Sequence, residues 1–491
     1  MASTSVETLS EKKDVEKDVT TEVPPAVTAP TADPFLVSLD ETDDPQLTPV
    51  FKRWVTVLVI SSASLCVTCS SSIAASTEGG LAATFGVSRE LTILGVSLFV
   101  LGLGAGPLVV GPLSEVYGRN IVYRLSYAAF FAFSFPLAFA PDFATFLVFR
   151  FITGLCGSAF LSVAGGSVSD MFPNRSVANP MAVYTLSPFM GPILGPLLGG
   201  FINQNTSWRW TYRVQIIWVF VELMALLAFV PETYAPVLLK WKAAHLRATS
   251  DARYHCPLDA RTTSLARAVL ISCRTPFALM ATDRMALLLN TWNALLLGIL
   301  YLAFQAFPLI FAKHGFSEEQ TGMSFLGIGL GMLLAIASQP LWNQLFARET
   351  KRFSGPPPPE TRLYMGQAGG LLVPLGLFAL AFTTYASVPW PVPIVASIPF
   401  GAGMYLVFTS TFTYLVTAYR PIAASAMAAN SALRSSFAAG FPLFAGAMYG
   451  RLGTVGATAL LAGLTLVMAP LPFIFYKIGP RLREGSRFAA K

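Results

Sequence analysis

Charged residues inside long apolar runs are where this sequence can do chemistry. Arg150, Glu222 and Arg434 each stand in such a run, and a charge at membrane depth costs about 3 kcal/mol or more unless it faces protein or water. Glu222 is the carboxylate set most clearly inside a run, which makes it a candidate carrier of a coupled proton. Its neighbours Val219, Phe220, Val221 and Leu223 leave open a peripheral, neutral or paired glutamate. Arg434 follows Asn430 by four residues, so both fall on one helical face, with Ser431 and Ser435 on the next stripe. Asn293, Tyr301 and Gln305 make a second row beside Asn290, and Tyr405, Thr409 and Thr413 a third. Such residues must face protein or water. Any of them can glue helices together, but three polar stripes in one half are read as lining a cavity for a small molecule. Two arginines and few acids make that cavity positive, which disfavours a polycationic substrate.

The elements that would hold these residues are helices crossing a bilayer. Of 491 residues, 54% are hydrophobic and 12% charged, with a mean hydropathy of +0.59. A soluble domain carries about a quarter charged residues. Apolar segments long enough to cross, about 20 residues each, fall near 54–76, 91–113, 121–140, 143–169, 178–202 and 212–231, then 286–311, 321–346, 363–385, 391–417, 422–448 and 455–476. The expected organisation is a disordered acidic tail at 1–50, a six-helix bundle at 51–232, a central loop at 233–284, a second bundle at 285–476 and a basic tail at 477–491.

Charge sets the orientation. Residues 1–50 hold 11 acids and three lysines, so the overall net charge of +7 conceals a strongly basic remainder. Lys240, Lys242, Arg247, Arg253, Arg261, Arg267, Arg274 and Arg284 crowd the central loop. Arg348, Lys351, Arg352 and Arg362 follow the eighth segment, and Lys477, Arg481, Arg483, Arg487 and Lys491 end the chain. Alternation puts all of these on the side of the N-terminus. The other side carries Arg89, Arg209, Arg213, Lys313 and Arg451 among acids such as Glu78, Glu90, Asp142, Glu318 and Glu319. Positive residues collect in the cytoplasm, so both termini and the central loop are expected there. The basic remainder is thereby assigned to topology rather than nucleic acid. In that loop, Pro236–Arg247 alternates Leu238, Leu239, Trp241 and Leu246 with Lys240, Lys242, His245 and Arg247, as a short helix on the inner leaflet would.

Other chemistry is poorly supported. Cys66, Cys69, Cys156, Cys256 and Cys273 make no secreted disulfide framework and are read as inert thiols. The first 50 residues lack the apolar core of a signal peptide. There is no P-loop, H-E-x-x-H or Gly-x-Ser-x-Gly, and His245, His255 and His314 are scattered. An enzyme is not expected, nor a cofactor, metal or ATP-driven cycle. The sequons at Asn174 and Asn205 are weak, one cytoplasmic and one close to the membrane.

The halves repeat each other. Pro112-Leu113, Glu115 and Arg119 after the second segment correspond to Pro340-Leu341, Asn343 and Arg348 after the eighth. Gly191-Pro192 and Gly195-Pro196 in the fifth segment answer Gly440, Pro442 and Gly446 in the eleventh. GPLSEVYGRN (111–120) resembles the loop motif of the major facilitator superfamily, RFITGLCGSA (150–159) its fourth-helix motif, and GPILGPLLGG (191–200) the fifth-helix motif of its antiporter branches. WRWTYRVQ (208–215), PETYAPVLL (231–239) and NSALRSSFAAGFPLF (430–444) are similar to the fungal drug:proton antiporters with 12 helices. The resemblance spans about 51–480. Glu115 replaces the motif's usual aspartate, and Asn120 a usual basic residue.

That resemblance implies an all-α membrane protein with 12 transmembrane helices in two pseudo-symmetric six-helix bundles. It implies a conformational latch at Glu115, Gly118 and Arg119, against an interfacial ion pair that only fixes topology. It implicates Arg150 in proton coupling, with Glu222 as a possible carrier, against a structural, hydrogen-bonded arginine. Gly191, Pro192, Gly195, Pro196 and Gly199 would make a helix that seals the cavity against leak, their small side chains allowing close approach. Substrate binding is expected at Asn290, Asn293, Tyr301, Gln305, Tyr405, Thr409, Asn430 and Arg434. The expected partners are a small molecule, protons and the bilayer, with a monomer in the plasma membrane favoured over the vacuolar membrane. Two functions stay open: export of drugs or secondary metabolites by proton antiport, and export of di- or tricarboxylates of the itaconate or citrate type. A sensor or channel would show a large soluble domain or a lost motif, and the sequence has neither.

Overall fold

A bilayer core offers no water, so backbone N–H and C=O groups crossing it must be bonded within the chain, which a helix does segment by segment. The computed structural model describes residues 35–40, 43–173, 176–256, 259, 265–353, 358–419, 422–484 and 486. The expected tail at 1–34, the sequon at Asn174 and the last basic residues from 487 lie outside the described residues.

Ten helical segments are long and apolar enough to cross a membrane, and a bent pair, Arg89–Ala105 with Pro107–Tyr117, makes an eleventh. Its 40° bend falls at Gly106-Pro107, where proline cannot continue the hydrogen-bond ladder. The last segment, Ser425–Glu484, has 60 residues, about 90 Å of helix against a hydrocarbon core of about 30 Å. It turns back at Gly453, whose φ of 68° and ψ of 174° are non-helical. Contacts fix the reversal. Asn430 bonds Asn290 near the start of the seventh span at 2.9 Å, and Thr454 bonds Lys313 at its end at 2.7 Å. Tyr476 then bonds Tyr364 at the start of the ninth span at 2.8 Å. The described residues thus make twelve crossings in two bundles of six, the last two running antiparallel.

Caps set where crossings begin. Asp142 opens the fourth span (Phe143–Met171), accepting from the Thr145 backbone at 2.7 Å and its hydroxyl at 3.0 Å; these bonds hold its carboxyl below the ordinary carboxylate range. Asp283 opens the seventh span (Arg284–His314), accepting from the backbone of Met285 and Ala286, and Ser317 forms a capping box with Gln320 before the eighth (Glu318–Arg352). Small residues then set how closely crossings pack. A Cβ on Gly102 or Gly154 would overlap the backbone of Phe151 or Phe99, so the second and fourth spans touch main chain to main chain.

Three expectations change here. The first span runs Val50–Phe85, through a 3₁₀ turn at Ile73–Thr77 and a short helix from Glu78, so Glu78 belongs to the span and is buried, not in a loop. The acidic tail is not featureless as far as residue 50. Val37 N bonds His255 O at 3.1 Å, His255 N bonds Phe35 O at 3.0 Å, and Lys242 pairs with Asp40 at 2.5 Å and Asp43 at 3.5 Å. The Asp40 hydrogen bond first, then both carboxylate charges, hold the Lys242 ammonium above its ordinary range. The amphipathic helix is present as Ala235–Thr249. The buried side of its core, Ala243, packs with Val37 and Cys256 against Leu239, Leu246 and Tyr254, so the chain itself covers a face assigned above to lipid. Trp241 alone of its large apolar residues is left exposed.

On the face carrying the basic loops, a glutamate clasps each bundle. Glu232, just past the sixth span (Trp208–Phe229), accepts from the backbone of Arg119 at 2.9 Å and Asn120 at 3.0 Å, at the start of the third (Arg119–Ala138). In the second bundle Glu360, at the start of the ninth span (Pro359–Ala381), takes Arg483 at 2.7 Å from the end of the twelfth. Gly118, with φ of 102°, lies against the Glu232 carboxylate where any Cβ would collide. Gly118→Ala is therefore expected to cost about 1–3 kcal/mol through backbone strain and the lost clasp, read as a lower melting temperature of the detergent-purified protein. An unchanged melting temperature would contradict the clasp.

Candidate functional site

The two interior arginines, alike in sequence, have different surroundings. Arg150 is fully buried. Its Nε donates to Gly95 O at 2.7 Å, Nη1 and Nη2 to Ser70 O at 3.1 Å each, and Nη2 to Ser71 O at 3.4 Å. Its Cζ lies 4.4 Å from the centre of the Phe99 ring. The first span leaves α-helical geometry after Ser72, and carbonyls in a helix's last turn lose their intrahelical donors. Arg150 supplies donors to two of those carbonyls, and the Phe99–Gly154 backbone contact brings the ring beneath it. A guanidinium does not release its proton in proteins, so Arg150 holds position and carries no proton itself.

Arg434 is half-buried and makes no hydrogen bond or ion pair among the described residues; its Nε is buried without a partner. Its Cζ lies 5.5 Å from the Phe412 ring centre and 5.8 Å from Phe408, and its charge is felt at the Tyr184 and Tyr301 hydroxyls from two other spans. Aromatic faces stabilise a cation only weakly, and they leave all its N–H donors free.

The polar rows around it are only partly a cavity lining. Asn290, Asn293, Tyr301, Tyr405 and Asn430 are buried, while Gln305, Thr409 and Arg434 keep some exposure. Asn430 donates to Asn290 at 2.9 Å, which is helix-to-helix bonding. Asn290 Nδ2, both amide atoms of Asn293 and Thr409 Oγ1 are buried without partners, a cost of about 1–3 kcal/mol each if left so. Thr413 spends its hydroxyl on the Thr409 carbonyl. Tyr301 and Gln305 face across the seam between bundles: the Tyr301 hydroxyl is 2.6 Å from Ser71 Oγ, and Gln305 donates to Glu78 at 2.6 Å.

Other expected residues lie elsewhere. Glu222 accepts from Ser62 at 2.5 Å and from Trp218 at 3.2 Å, between the first and sixth spans, with Phe220 and Val221 exposed beside it. Both partners belong to its own bundle, the paired alternative raised by its apolar neighbours. Glu115 is exposed and has no partner among the described residues. The Arg119 side chain is held instead by Asp170 at 3.2 Å and Ser114 at 2.7 Å, over the Tyr234 ring. The ties at this helix end thus run through Asp170 and Glu232. Glu232 was legible in PETYAP, while Asp170 had no sequence signal. Asn120, in place of a basic residue, bonds the Val230 carbonyl at the clasp. In the fifth span (Asn179–Asn205), Gly191, Gly195 and Gly199 pack on Thr68, Ser72 and Ser76 of the first, so this row serves packing within a bundle. Pro192 is buried beside it, whereas Pro196 and Gly200 reach the second bundle: Gly322 lies on the Pro196 carbonyl, and a Cβ on Gly200 would sit 2.6 Å from Glu318 O.

Those contacts lie on the seam between the bundles. Hydrogen bonds between the bundles, among the described residues, are Ser71–Tyr301, Glu78–Gln305, Ser97 to Ala439 O at 2.6 Å, and Glu318 and Glu319 N to Gln204 at 3.0 and 3.4 Å. All lie at mid-depth or towards the face opposite the basic loops. Towards the basic face the described residues make no such bond.

Residues 60–441 match the family described as Major Facilitator Superfamily. The chain is 47% identical over 395 residues to the efflux pump atB of Aspergillus terreus, covering 79% of this chain and 83% of that one. It is 40% identical over 409 residues to the probable drug/proton antiporter YHK8 of Saccharomyces cerevisiae, covering 82% and 79%. Among solved structures it resembles the xylose transporter XylE from E. coli, with a TM-score of 0.60, 16% identity and coverage of 87% and 98%. It also resembles the human organic anion transporter MFSD10, with a TM-score of 0.56, 20% identity and coverage of 87% and 100%.

The contrast between the arginines is testable by stability alone. Arg150→Met strands the Gly95, Ser70 and Ser71 carbonyls and is expected to cost on the order of 3 kcal/mol, lowering the melting temperature. Arg434→Ala removes no protein hydrogen bond and is expected to melt near wild type. Equal losses would contradict the distinction.

Proposed function

The chain belongs to the major facilitator superfamily, and we propose that it exports small organic molecules bearing a carboxylate in exchange for protons, by alternating access. The observation that carries this reading is Arg434, a guanidinium at membrane depth with free donors, aromatic faces on one side and exposure on the other. A carboxylate would take a charge-assisted hydrogen bond there. Phe408 and Phe412 would cover the ligand's apolar part, and Asn293 with Thr409 offer further unspent polar atoms. The relatives called efflux pumps support the direction, and the relative called a drug/proton antiporter supports the coupling ion.

The basic loops support a cytoplasmic location for their face and both termini, and we take the plasma membrane as the membrane crossed. On that reading the hydrogen-bonded part of the seam is an outer seal, and Arg434 would load from the cytoplasmic side, as an exporter requires. A substrate that neutralises Arg434 lowers the cost of closing the cytoplasmic side around a charge. Parting of the outer seal would follow, then release. Asn290, Asn293 and Asn430 support a second reading, an uncharged drug or secondary metabolite held by amides.

Proteoliposomes separate the readings. With itaconate and benzoate as carboxylate probes and Nile red as an uncharged one, Arg434→Ala is expected to reduce carboxylate transport about tenfold or more, the worth of a bond to a charged group at ~1.5 kcal/mol, while sparing Nile red. Equal loss of both would remove the anion reading. An imposed pH gradient is expected to drive wild-type transport, and indifference to the gradient would remove antiport.

A further inference from the structure

Four carboxylates are buried among the described residues: Glu78, Glu222, Asp283 and Glu360. Three are tied within their own bundle. Glu222 is held by Ser62 and Trp218, Asp283 by the seventh-span N-terminus and Ser486, and Glu360 by Arg483. Glu78 alone is hydrogen-bonded across the seam, its Oε1 accepting from Gln305 Nε2 at 2.6 Å.

Its place is specific. The 3₁₀ turn Ile73–Thr77 carries the chain from the carbonyls that Arg150 holds to Glu78, which opens the short helix Glu78–Phe85. Thr77 bonds the Tyr212 hydroxyl at 3.2 Å, and Ser71 meets Tyr301 one helical turn below Gln305 on the seventh span. The titratable and charged groups facing Glu78 are Arg89 from the exposed start of the second span and Tyr212 from the sixth. The fifth span presents Gly199 near this turn and the seventh presents the neutral amide of Gln305. Among the described residues no salt bridge compensates the carboxyl group.

We propose that Glu78 and Gln305 form the proton-responsive element of the outer seal, the carboxyl group at which binding or release of a proton is linked to parting of the two bundles. The step is a proton transfer between outer water and a Glu78 carboxylate oxygen. In the ionised form both oxygens accept, and the Gln305 N–H bond is charge-assisted; once protonated, one oxygen becomes a donor and that bond weakens. When the seal parts, the same group exchanges Gln305 for water. Two conformations that give one carboxyl group such different surroundings hold its proton with different affinity, and linkage makes the coupling reciprocal. Gln305 positions the carboxyl group and does not itself titrate.

The inference rests on the proton-antiport reading, yet its test needs no substrate. Ala83 and Ala312 are exposed on the outer ends of opposite bundles, and spin labels at Ala83→Cys and Ala312→Cys report their separation in lipid nanodiscs. Cys156 and Cys273, the half-exposed native thiols, are replaced by serine. Between pH 5 and 9 the otherwise wild-type protein is expected to show a sigmoidal shift in its distance distribution. Glu78→Gln, which keeps size and hydrogen bonding, is expected to abolish that dependence, and Gln305→Met to displace its midpoint. A distribution that ignores pH without the Glu78 change, or a Glu78→Gln protein that titrates as before, would overturn the proposal. If the seal titrates but transport ignores a pH gradient, the antiport reading fails alone.

Discussion

The guanidinium of Arg150 is the constraint on which the arrangement of the first bundle hangs. Donating to Ser70, Ser71 and Gly95 carbonyls, it lets the first span leave α-helical geometry at mid-depth without stranding acceptors in hydrocarbon. The 3₁₀ turn that follows carries Ser71 and Glu78 to the seam, where they meet Tyr301 and Gln305. The seal is thus built on a chain segment that an interior cation holds out of regular helix. The glycines of the fourth span belong to the same device, because Gly154 lets the Phe99 backbone come close enough to place its ring against the guanidinium.

Polar groups in the rest of the interior divide by whether that accounting closes. Arg150, Glu222, Asp283 and Glu360 are each hydrogen-bonded by neighbours, as buried polar groups in a fold usually are. Arg434, Asn293 and Thr409 are left with unspent donors and acceptors. Aromatic neighbours limit the penalty for the half-buried Arg434 charge.

At the basic face the two bundles use one clasp with its polarity reversed. In the first, the acid sits after the sixth span and grips the start of the third. In the second, the acid sits at the start of the ninth and takes an arginine from the end of the twelfth. Both tie equivalent helices within a bundle, and both bring a glycine, Gly118 or Gly479, against the carboxylate. Rigid bundles that rock against each other need such internal ties on the face where their mutual contacts are sparse. Glu115 stays exposed because Glu232 and Asp170 already meet the needs of Arg119 and its helix end.

Hydropathy and charge placement sufficed for the number of crossings and the pairing of halves, because burying apolar length in a bilayer is a local property of each segment. The motifs sufficed for the family. The sequence also marked Arg150 and Arg434 as costly interior charges, but not which one was already satisfied. That depends on carbonyls of Gly95, Ser70 and Ser71, distant in sequence and chemically anonymous, since every residue has one. Glu78 was misplaced for a related reason: a 3₁₀ turn followed by a short helix looks like a loop to a hydropathy window, and its burial comes from the second bundle. Helical periodicity put Asn290, Asn293 and Asn430 on polar rows without saying whether those rows met water or each other. Local composition decided what must lie in the membrane. Only tertiary packing, within each bundle and between the two, decided which polar groups were spent and which were kept free.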